Sequence, residues 1–141
     1  MDAAEAMLEG ARRRFADDDA VTVKHADAAE LPFADAAFDT VNIANSVHSF
    51  PEVDAALRES FRVLRPGGTL AASVRLYPRT LQAIAERINR WGMRKGILHP
   101  PYSAGDIRAR FTRAGFEVVE KDISGNCYNL LLRRPDAAGE D

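Results

Sequence analysis

The chain has 141 residues with 46% hydrophobic residues and a formal net charge of −2 at pH 7, which fits one domain with its own core and argues against a general polyanion-binding protein. Its single cysteine, Cys127, excludes an internal disulfide framework and fits a reducing compartment. No apolar run is long enough to span a membrane and the alanine-rich start is unlike a signal peptide, so we expect a cytoplasmic protein without an integral membrane segment.

The first half of the chain predicts helices alternating with strands. Apolar residues recur at helical spacing over residues 3–15. Short runs rich in β-branched and apolar residues predict three strands, over residues 21–25, 38–45 and 69–75. Between the last two, Pro51 suits the start of a helix, which Pro66 ends before a turn at Gly67 and Gly68. This order is that of a parallel βαβ unit, so the predicted fold class is α/β with helices on both faces of the sheet.

The helices predicted in the second half are less regular. An apolar stripe over residues 81–91 predicts one helix, and a loop containing Gly96, Pro100 and Pro101 follows. Ser103 caps the next helix, with Asp106 as its reciprocal partner three residues later. Gly115 ends that helix, because glycine adopts the left-handed conformation that closes a helix at no steric cost.

A hairpin closes the chain. Residues 116–123 and 127–134 predict two strands, and the intervening Ser-Gly-Asn turn predicts that they pair antiparallel at the end of the sheet. We therefore expect a single domain over residues 1–134 and a disordered tail over residues 135–141.

Asp2 has two possible roles. It stands directly before the first predicted helix, and Glu5 follows three residues later, which is the spacing of a capping box. In a nucleotide-binding α/β fold, a carboxylate between the end of a strand and the next helix instead holds a ribose. The local sequence leaves both roles open.

Most motifs that carry chemistry are absent. His25, His48 and His99 lie far apart without further ligands at metal spacing, so we expect no metal site. The chain has no G-x-S-x-G elbow, no Walker A loop and no G-x-G-x-x-G motif, and it has no glycine at all between Gly10 and Gly67. The Tyr-x-x-x-Lys pair of NAD-dependent short-chain oxidoreductases is missing as well.

An ordered set of motifs remains: "MLEGARRR", "DAAELPF", "FDTV", "RVLRPGG" and a final "AGFEVVE". In order and spacing, from Asp2 to about Arg133, this set resembles the class I S-adenosylmethionine-dependent methyltransferases. It is most similar to the small-molecule branch that includes ubiquinone and menaquinone biosynthesis methyltransferases. The resemblance implies a Rossmann-like methyltransferase sheet, S-adenosyl-L-methionine as cofactor, and methyl transfer to a small-molecule acceptor with no nucleic-acid partner.

The resemblance also implies five cofactor-binding residues. Asp2 falls on the family's carboxylate that accepts hydrogen bonds from both ribose hydroxyls. Asp27 falls on the carboxylate that accepts from the adenine amino group, while the N–H of Ala28 reaches a ring nitrogen. Asn45 and Ser46 fall at the carboxyl end of the next strand, where ligands bind in such folds.

His48 is the candidate catalytic residue. It falls close to where family members receive the acceptor and could act as a general base, although a partly buried loop histidine is the simpler interpretation. The cofactor is already activated, so the protein's main task is alignment and desolvation. The motifs therefore leave the acceptor open, and "RVLRPGG" has a structural role only.

The chain departs from the family at its start. Family members have a strand, a glycine-rich loop and a helix before the position of Asp2, so we expect an N-terminally truncated sheet and a weakened site for the methionine half of the cofactor. The 21–25 strand then pairs with the 38–45 strand or keeps unpaired edge groups.

Two explanations of this start compete. Either the chain begins at an internal codon of a longer gene, or it is a non-catalytic relative or subunit that completes its sheet by self-association or with a partner. An upstream in-frame strand, D-x-G-x-G-like loop and helix would support the first explanation, and stop codons there would exclude it.

A binding module without enzymatic activity is the alternative function. A local excess of positive charge surrounds the 81–91 helix, where only Glu86 opposes six basic residues: Arg75, Arg79, Arg87, Arg90, Arg94 and Lys95. Such a surface could bind RNA, an acidic substrate or an anionic membrane. A solvated helix face is the simpler interpretation, because the net charge is acidic and few aromatic residues accompany the cluster.

Overall fold

A computed structural model describes residues 1–76 and 102–136. The predicted 81–91 helix, the loop with Gly96, Pro100 and Pro101, the basic cluster beyond Arg75 and the last residues of the predicted tail lie outside these ranges. Of the helices in the described ranges, none is long and apolar enough to cross a membrane.

The described residues form a mixed sheet with helices. In chain order its elements are α1 (Glu5–Arg14), β1 (Phe38–Ala44), a 3-10 helix (Val47–Ser49), α2 (Val53–Val63), β2 (Leu64–Arg75), α3 (Ala104–Arg113), β3 (Glu117–Ser124) and β4 (Cys127–Arg133). The sheet order is β1-β2-β4-β3; β1 and β2 are parallel, and β4 pairs antiparallel with both β2 and β3. The α/β class, the βαβ unit and the terminal hairpin are thus confirmed.

The main core lies between this sheet and the helices α2 and α3. Alternate residues of the two central strands are buried in it: Leu70, Ala72 and Val74 from β2, and Tyr128, Leu130 and Leu132 from β4. Leu57 of α2 and Phe111 of α3 belong to the same cluster. Residues between them along the strands, such as Ala71 and Leu131, are only partly buried. This period of two places α2 and α3 on one common face of the sheet.

The predicted strand over residues 21–25 is wrong. Only His25 takes part in a β-bridge, which is parallel and pairs it with Asp2. The Asp2 N–H donates to the Lys24 carbonyl at 3.2 Å, and the Ala26 N–H donates to the Asp2 carbonyl at 3.1 Å. Strand propensity becomes a strand only beside a partner with free backbone groups. Here that partner is a single residue, and β1 pairs with β2 instead.

The capping box predicted at Asp2 and Glu5 does not form. Helix α1 begins at Glu5 with Ala4 as its N-cap, and no side chain caps it. The Oδ1 atom of Asp2 accepts a hydrogen bond from the Ala4 N–H at 2.8 Å, while Glu5 forms an ion pair with Arg12. Because Asp2 lies two residues before the N-cap, its carboxylate closes a local turn outside the helix.

Strand β2 follows helix α2 directly along the chain, without the separate turn that was predicted between them. The helix begins at Val53 rather than Pro51, and β2 starts at Leu64, so the Pro-Gly-Gly sequence lies inside the strand instead of forming a separate turn. The pairing register with β1 shifts at this point. Two backbone hydrogen bonds hold the irregular segment: Gly67 N–H to the Arg134 carbonyl at 3.0 Å, and Arg134 N–H to the Gly68 carbonyl at 2.9 Å.

The predicted ends of α3 are confirmed. The Ser103 Oγ accepts a hydrogen bond from the Asp106 N–H at 3.1 Å and donates one to the Asp106 carboxylate at 2.7 Å. Gly115 follows the helix with a φ of 103°, and the chain then turns into β3. Its position is crowded, since a Cβ atom there would lie 2.8 Å from Cε2 of Phe61.

We expect Gly115→Ala to lower the free energy of unfolding by about 2 to 3 kcal/mol, because it combines an unfavourable φ with a clash against Phe61. Gly125→Ala is the matched control, since Gly125 also has a positive φ of 62° but open space around its Cβ position. The control should cost about 1 kcal/mol. Urea unfolding of both variants measures the difference, and equal losses would contradict the role of Phe61.

Candidate functional site

A cavity of about 660 Å³ lies between the N-terminal residues, the segment over residues 22–28 and strand β1. Its apolar walls include Leu31, Phe33 and Phe38, and polar groups such as Thr40 and Ser49 also line it. A concave site of this size, with apolar walls and a few polar groups, is suited to a small organic ligand.

Four of the five predicted cofactor-binding residues line this cavity: Asp2, Asp27, Ala28 and Ser46. They come from three separate parts of the chain, which the bridge between Asp2 and His25 and the end of β1 bring together. The fifth residue, Asn45, does not line the cavity, and neither does the catalytic candidate His48.

The two aspartates have similar local geometry. Each uses its Oδ1 atom to accept a hydrogen bond from the backbone N–H two residues later, Ala4 for Asp2 and Ala29 for Asp27, both at 2.8 Å. Both residues are exposed, and their Oδ2 atoms accept no hydrogen bond from the described residues. Each carboxylate is therefore fixed in direction by its own turn while one oxygen stays available to a ligand.

Asn45 directly follows β1, and its backbone conformation ends the strand. Its φ is 51°, and its N–H donates to both the carbonyl and the Oγ of Ser73 at 2.9 Å. Asparagine tolerates this left-handed conformation better than most residues. Its role in the structure is to turn the chain from β1 toward Ser46, which lines the cavity.

His48 lies in the 3-10 helix between Ser46 and Ser49, both of which line the cavity. The Nδ1 atom of His48 is buried and has no hydrogen-bond partner in the part of the chain that the structure describes. A buried polar atom without a partner costs stability and calls for an explanation.

Three further residues at the cavity had no role in the sequence interpretation. The Phe33 and Phe38 rings pack edge to face with centroids 4.9 Å apart, and Nζ of Lys24 lies 5.1 Å from the Phe33 centroid. All three line the cavity. Phe33 and Phe38 belong to the "DAAELPF" and "FDTV" motifs, so the sequence contained a reason to consider both residues. Only the folded chain shows that the two rings touch.

An ion-pair network connects helix α2 to the segment that follows Asp27. Arg62 of α2 contacts the carboxylates of Glu59 and Asp35, each at 2.7 Å. The hydrogen bond from Arg62 holds the pKa of Glu59 below its usual range, against the opposing effect of partial burial, and Glu59 raises the pKa of Arg62 in turn. Because the pKa of Glu59 is lower in the folded chain, the contact stabilises the fold above the unfolded-state pKa and is lost as the pH falls through the folded-state value.

A family model and two curated relatives that match this chain are all described as methyltransferases. A family model described as a methyltransferase domain matches residues 1–72. The chain is 41% identical over 103 residues to 27-O-demethylrifamycin SV methyltransferase of Amycolatopsis mediterranei, covering 71% of this chain and 37% of that protein. It is 48% identical over 69 residues to demethylmenaquinone methyltransferase of Clavibacter sepedonicus, covering 49% of this chain and 28% of that protein. The chain thus spans well under half the length of these curated relatives.

Solved structures with a similar fold align with most of this chain. A SAM-dependent methyltransferase from Aquifex aeolicus superposes with a TM-score of 0.71 at 19% identity, covering 94% of this chain and 65% of that one. The cyclase SpnF superposes with a TM-score of 0.74 at 20% identity, covering 94% of this chain and 62% of that one. At these identities the likeness shows the Rossmann-like fold alone.

Proposed function

Because this chain belongs to the methyltransferase domain family, we propose that it binds S-adenosylmethionine in the cavity beside β1 and transfers the methyl group to a small-molecule acceptor. The observation that carries the proposal is the placement of Asp2 and Asp27. They line one cavity, and each keeps one carboxylate oxygen free of the described residues. Two such acceptors suit the two parts of a nucleoside that donate hydrogen bonds, its ribose hydroxyls and its base amino group.

The chemical character of the cavity fits a nucleoside-containing cofactor. Asp2 would accept hydrogen bonds from the ribose hydroxyls, and Asp27 from the adenine amino group. The Ala28 N–H makes no backbone hydrogen bond with the described residues and is therefore available to a ring nitrogen. Leu31 and Phe33 line the same cavity and would cover the apolar faces of the adenine.

The protein's part in the reaction is alignment and exclusion of water. When it is bound, S-adenosylmethionine supplies a methyl group that is already activated by its attachment to a sulfonium sulfur. The aspartates would fix the nucleoside half, and the apolar walls at Leu31, Phe33 and Phe38 would exclude water around it. Positioning of this kind can supply a large share of a rate enhancement without a strong acid or base.

The relatives support a small-molecule acceptor. Their names give a demethylrifamycin and demethylmenaquinone as the molecules that are methylated, and both are small molecules. We therefore assign a small-molecule acceptor to this chain, and we keep the cytoplasm, inferred from composition, as its location.

Calorimetric titration of the 141-residue chain with S-adenosylhomocysteine, the product form of the cofactor, tests the proposal. We expect saturable binding with one site per chain. Adenosine should compete for that site, because it carries the groups assigned to Asp2 and Asp27. A chain that is folded by circular dichroism but binds neither compound at millimolar concentration would contradict the proposed function.

We propose that His48 serves the acceptor rather than the cofactor, since it flanks the cavity without lining it. His48→Leu should leave S-adenosylhomocysteine affinity within about twofold and raise the free energy of unfolding by about 1 kcal/mol, because it removes a buried unpaired nitrogen. His25→Leu is the matched control: the His25 Nε2 contacts the Ala3 carbonyl at 3.1 Å, so its loss should lower stability instead. A lower stability of His48→Leu, measured by urea unfolding, would contradict this interpretation of Nδ1.

A further inference from the structure

Residues 27–36, which we call the site loop, carry Asp27 and Ala28 at one end and supply Leu31 and Phe33 to the cavity. The loop contains one isolated bridge, between Asp27 and Glu30, and otherwise no helix or strand. Its conformation therefore depends on contacts from elsewhere in the chain.

One arginine on α2 supplies three of those contacts. Arg62 Nη1 donates to the Phe33 carbonyl at 2.8 Å and to the Asp35 carboxylate at 2.7 Å. Its Nη2 donates to the Leu31 carbonyl at 3.1 Å and to Glu59 at 2.7 Å, and its Nε donates to the other Glu59 oxygen at 2.7 Å. All three guanidinium nitrogens are thus engaged in a planar arrangement that lysine cannot reproduce.

Glu59 and the α2 backbone complete the attachment. The Oε2 atom of Glu59, whose side chain is 20% exposed, accepts a hydrogen bond from the Leu31 N–H at 2.8 Å. The Ala36 N–H donates to the Arg62 carbonyl at 3.0 Å, and Ala36 has a positive φ of 55°. The loop is therefore held at Leu31, at Phe33 and at its end by a single turn of α2.

We infer that Arg62 and Glu59 are positioning residues for the cofactor, which hold the site loop so that Asp27 and Ala28 present their polar groups to the adenine. Neither residue touches the reacting atoms, and the inference rests on the proposed function. A loop that is ordered before the cofactor arrives loses less conformational entropy on binding, so the ion-pair network raises affinity without contacting the ligand.

The contact pattern separates this role from simple helix stabilisation. An ion pair within one helix turn, such as Arg62 with Glu59, contributes little to stability when it is exposed. Here the same two side chains also bind a backbone N–H and two backbone carbonyls of the site loop. Four of the six hydrogen bonds that these two side chains make therefore go to the site loop, and the other two join the side chains to each other.

Arg62→Gln tests the inference, with Arg62→Lys as the charge-conserving variant. Arg110→Ala is the matched control: Arg110 pairs with Asp54 between α3 and α2, its side chain is 30% exposed like that of Arg62, and no hydrogen bond or ion pair joins it to the site loop. We expect Arg62→Gln to weaken S-adenosylhomocysteine binding about tenfold, Arg62→Lys to recover part of this loss, and the control to stay within about twofold.

Amide hydrogen exchange distinguishes a local loosening of the site loop from a general loss of stability. Arg62→Gln should speed exchange at Leu31 and Ala36 while leaving the β2–β4 ladder protected. In a double-mutant cycle, Asp27→Asn should cost less in the Arg62→Gln background than in the wild type, because a loosened loop no longer presents Asp27.

The outcomes are distinguishable. If the wild type binds and Arg62→Gln binds equally well, the inference is overturned and the proposed function stands. Equal weakening by Arg62→Gln and Arg110→Ala would also overturn it, since the effect would then reflect stability alone. If the wild type does not bind S-adenosylhomocysteine at all, the proposed function fails, and the positioning role fails with it.

Discussion

Asp2→Asn and Asp27→Asn are each expected to weaken S-adenosylhomocysteine binding by about 10- to 100-fold. A hydrogen bond to a charged group contributes about 1.5 to 3 kcal/mol, and each 1.4 kcal/mol is a factor of ten in affinity. Both aspartates line the cavity and keep one oxygen available to a ligand, so the charge removed is the one assigned to the cofactor. Calorimetric titration of the two variants measures the loss.

Asp18→Asn is the control for this result. The Oδ1 of Asp18 accepts a hydrogen bond from the Ala20 N–H at 3.0 Å, which is the same local turn that Asp2 and Asp27 make, but Asp18 does not line the cavity. The control should change the affinity by less than about twofold. If all three variants lost affinity equally, the effect would come from turn stability and not from contact with the cofactor.

Arg134→Ala is expected to lower the free energy of unfolding by about 2 to 4 kcal/mol, or the melting temperature by roughly 5 to 15 °C. The Nη1 of Arg134 donates to the carbonyls of Phe61, Arg62 and Leu64 at 2.9, 3.1 and 2.6 Å, at the carboxyl end of α2. Its guanidinium also lies 4.7 Å from the Phe61 ring centroid. The substitution would leave these carbonyls without a cationic partner at the negative end of the helix dipole.

The neighbouring arginine provides the control for that prediction. Arg133 forms an exposed ion pair with Glu117 at 3.0 Å, and its side chain is 49% exposed. Arg133→Ala should therefore change the free energy of unfolding by about 0.5 kcal/mol or less. Urea unfolding of the two variants separates the helix-end contact from a general loss of positive charge. Equal effects would contradict the role given to Arg134.

Elements with strong local signals were predicted correctly. Strand β1 and the terminal hairpin lie where their apolar runs and turn residues placed them, and the Ser103 cap and Gly115 end of α3 form as predicted. The hairpin turn and the two ends of α3 depend on residues close in the chain, so no knowledge of the remaining fold was needed to predict them.

Elements that depend on a distant partner were predicted poorly. Residues 21–25 have strand-forming side chains, yet His25 alone pairs, because its neighbour is the single residue Asp2. The Pro-Gly-Gly sequence was expected to form a turn, but Arg134 binds the backbone of Gly67 and Gly68 and keeps this segment within β2. In both cases the outcome depended on which backbone groups were available elsewhere in the fold.

The amino-acid sequence by itself determined the α/β class and the resemblance to methyltransferases, since both rest on residue types and spacing along the chain. That resemblance in turn implied the candidate residues Asp2 and Asp27. Only the tertiary structure decided which candidates share a cavity: it places Asp2 and Asp27 on the wall of the same cavity, leaves Asn45 and His48 off that wall, and joins the site loop to Arg62. The physical reason is that side-chain direction and long-range hydrogen bonds follow from the packing of distant segments, which the order of residues does not specify locally.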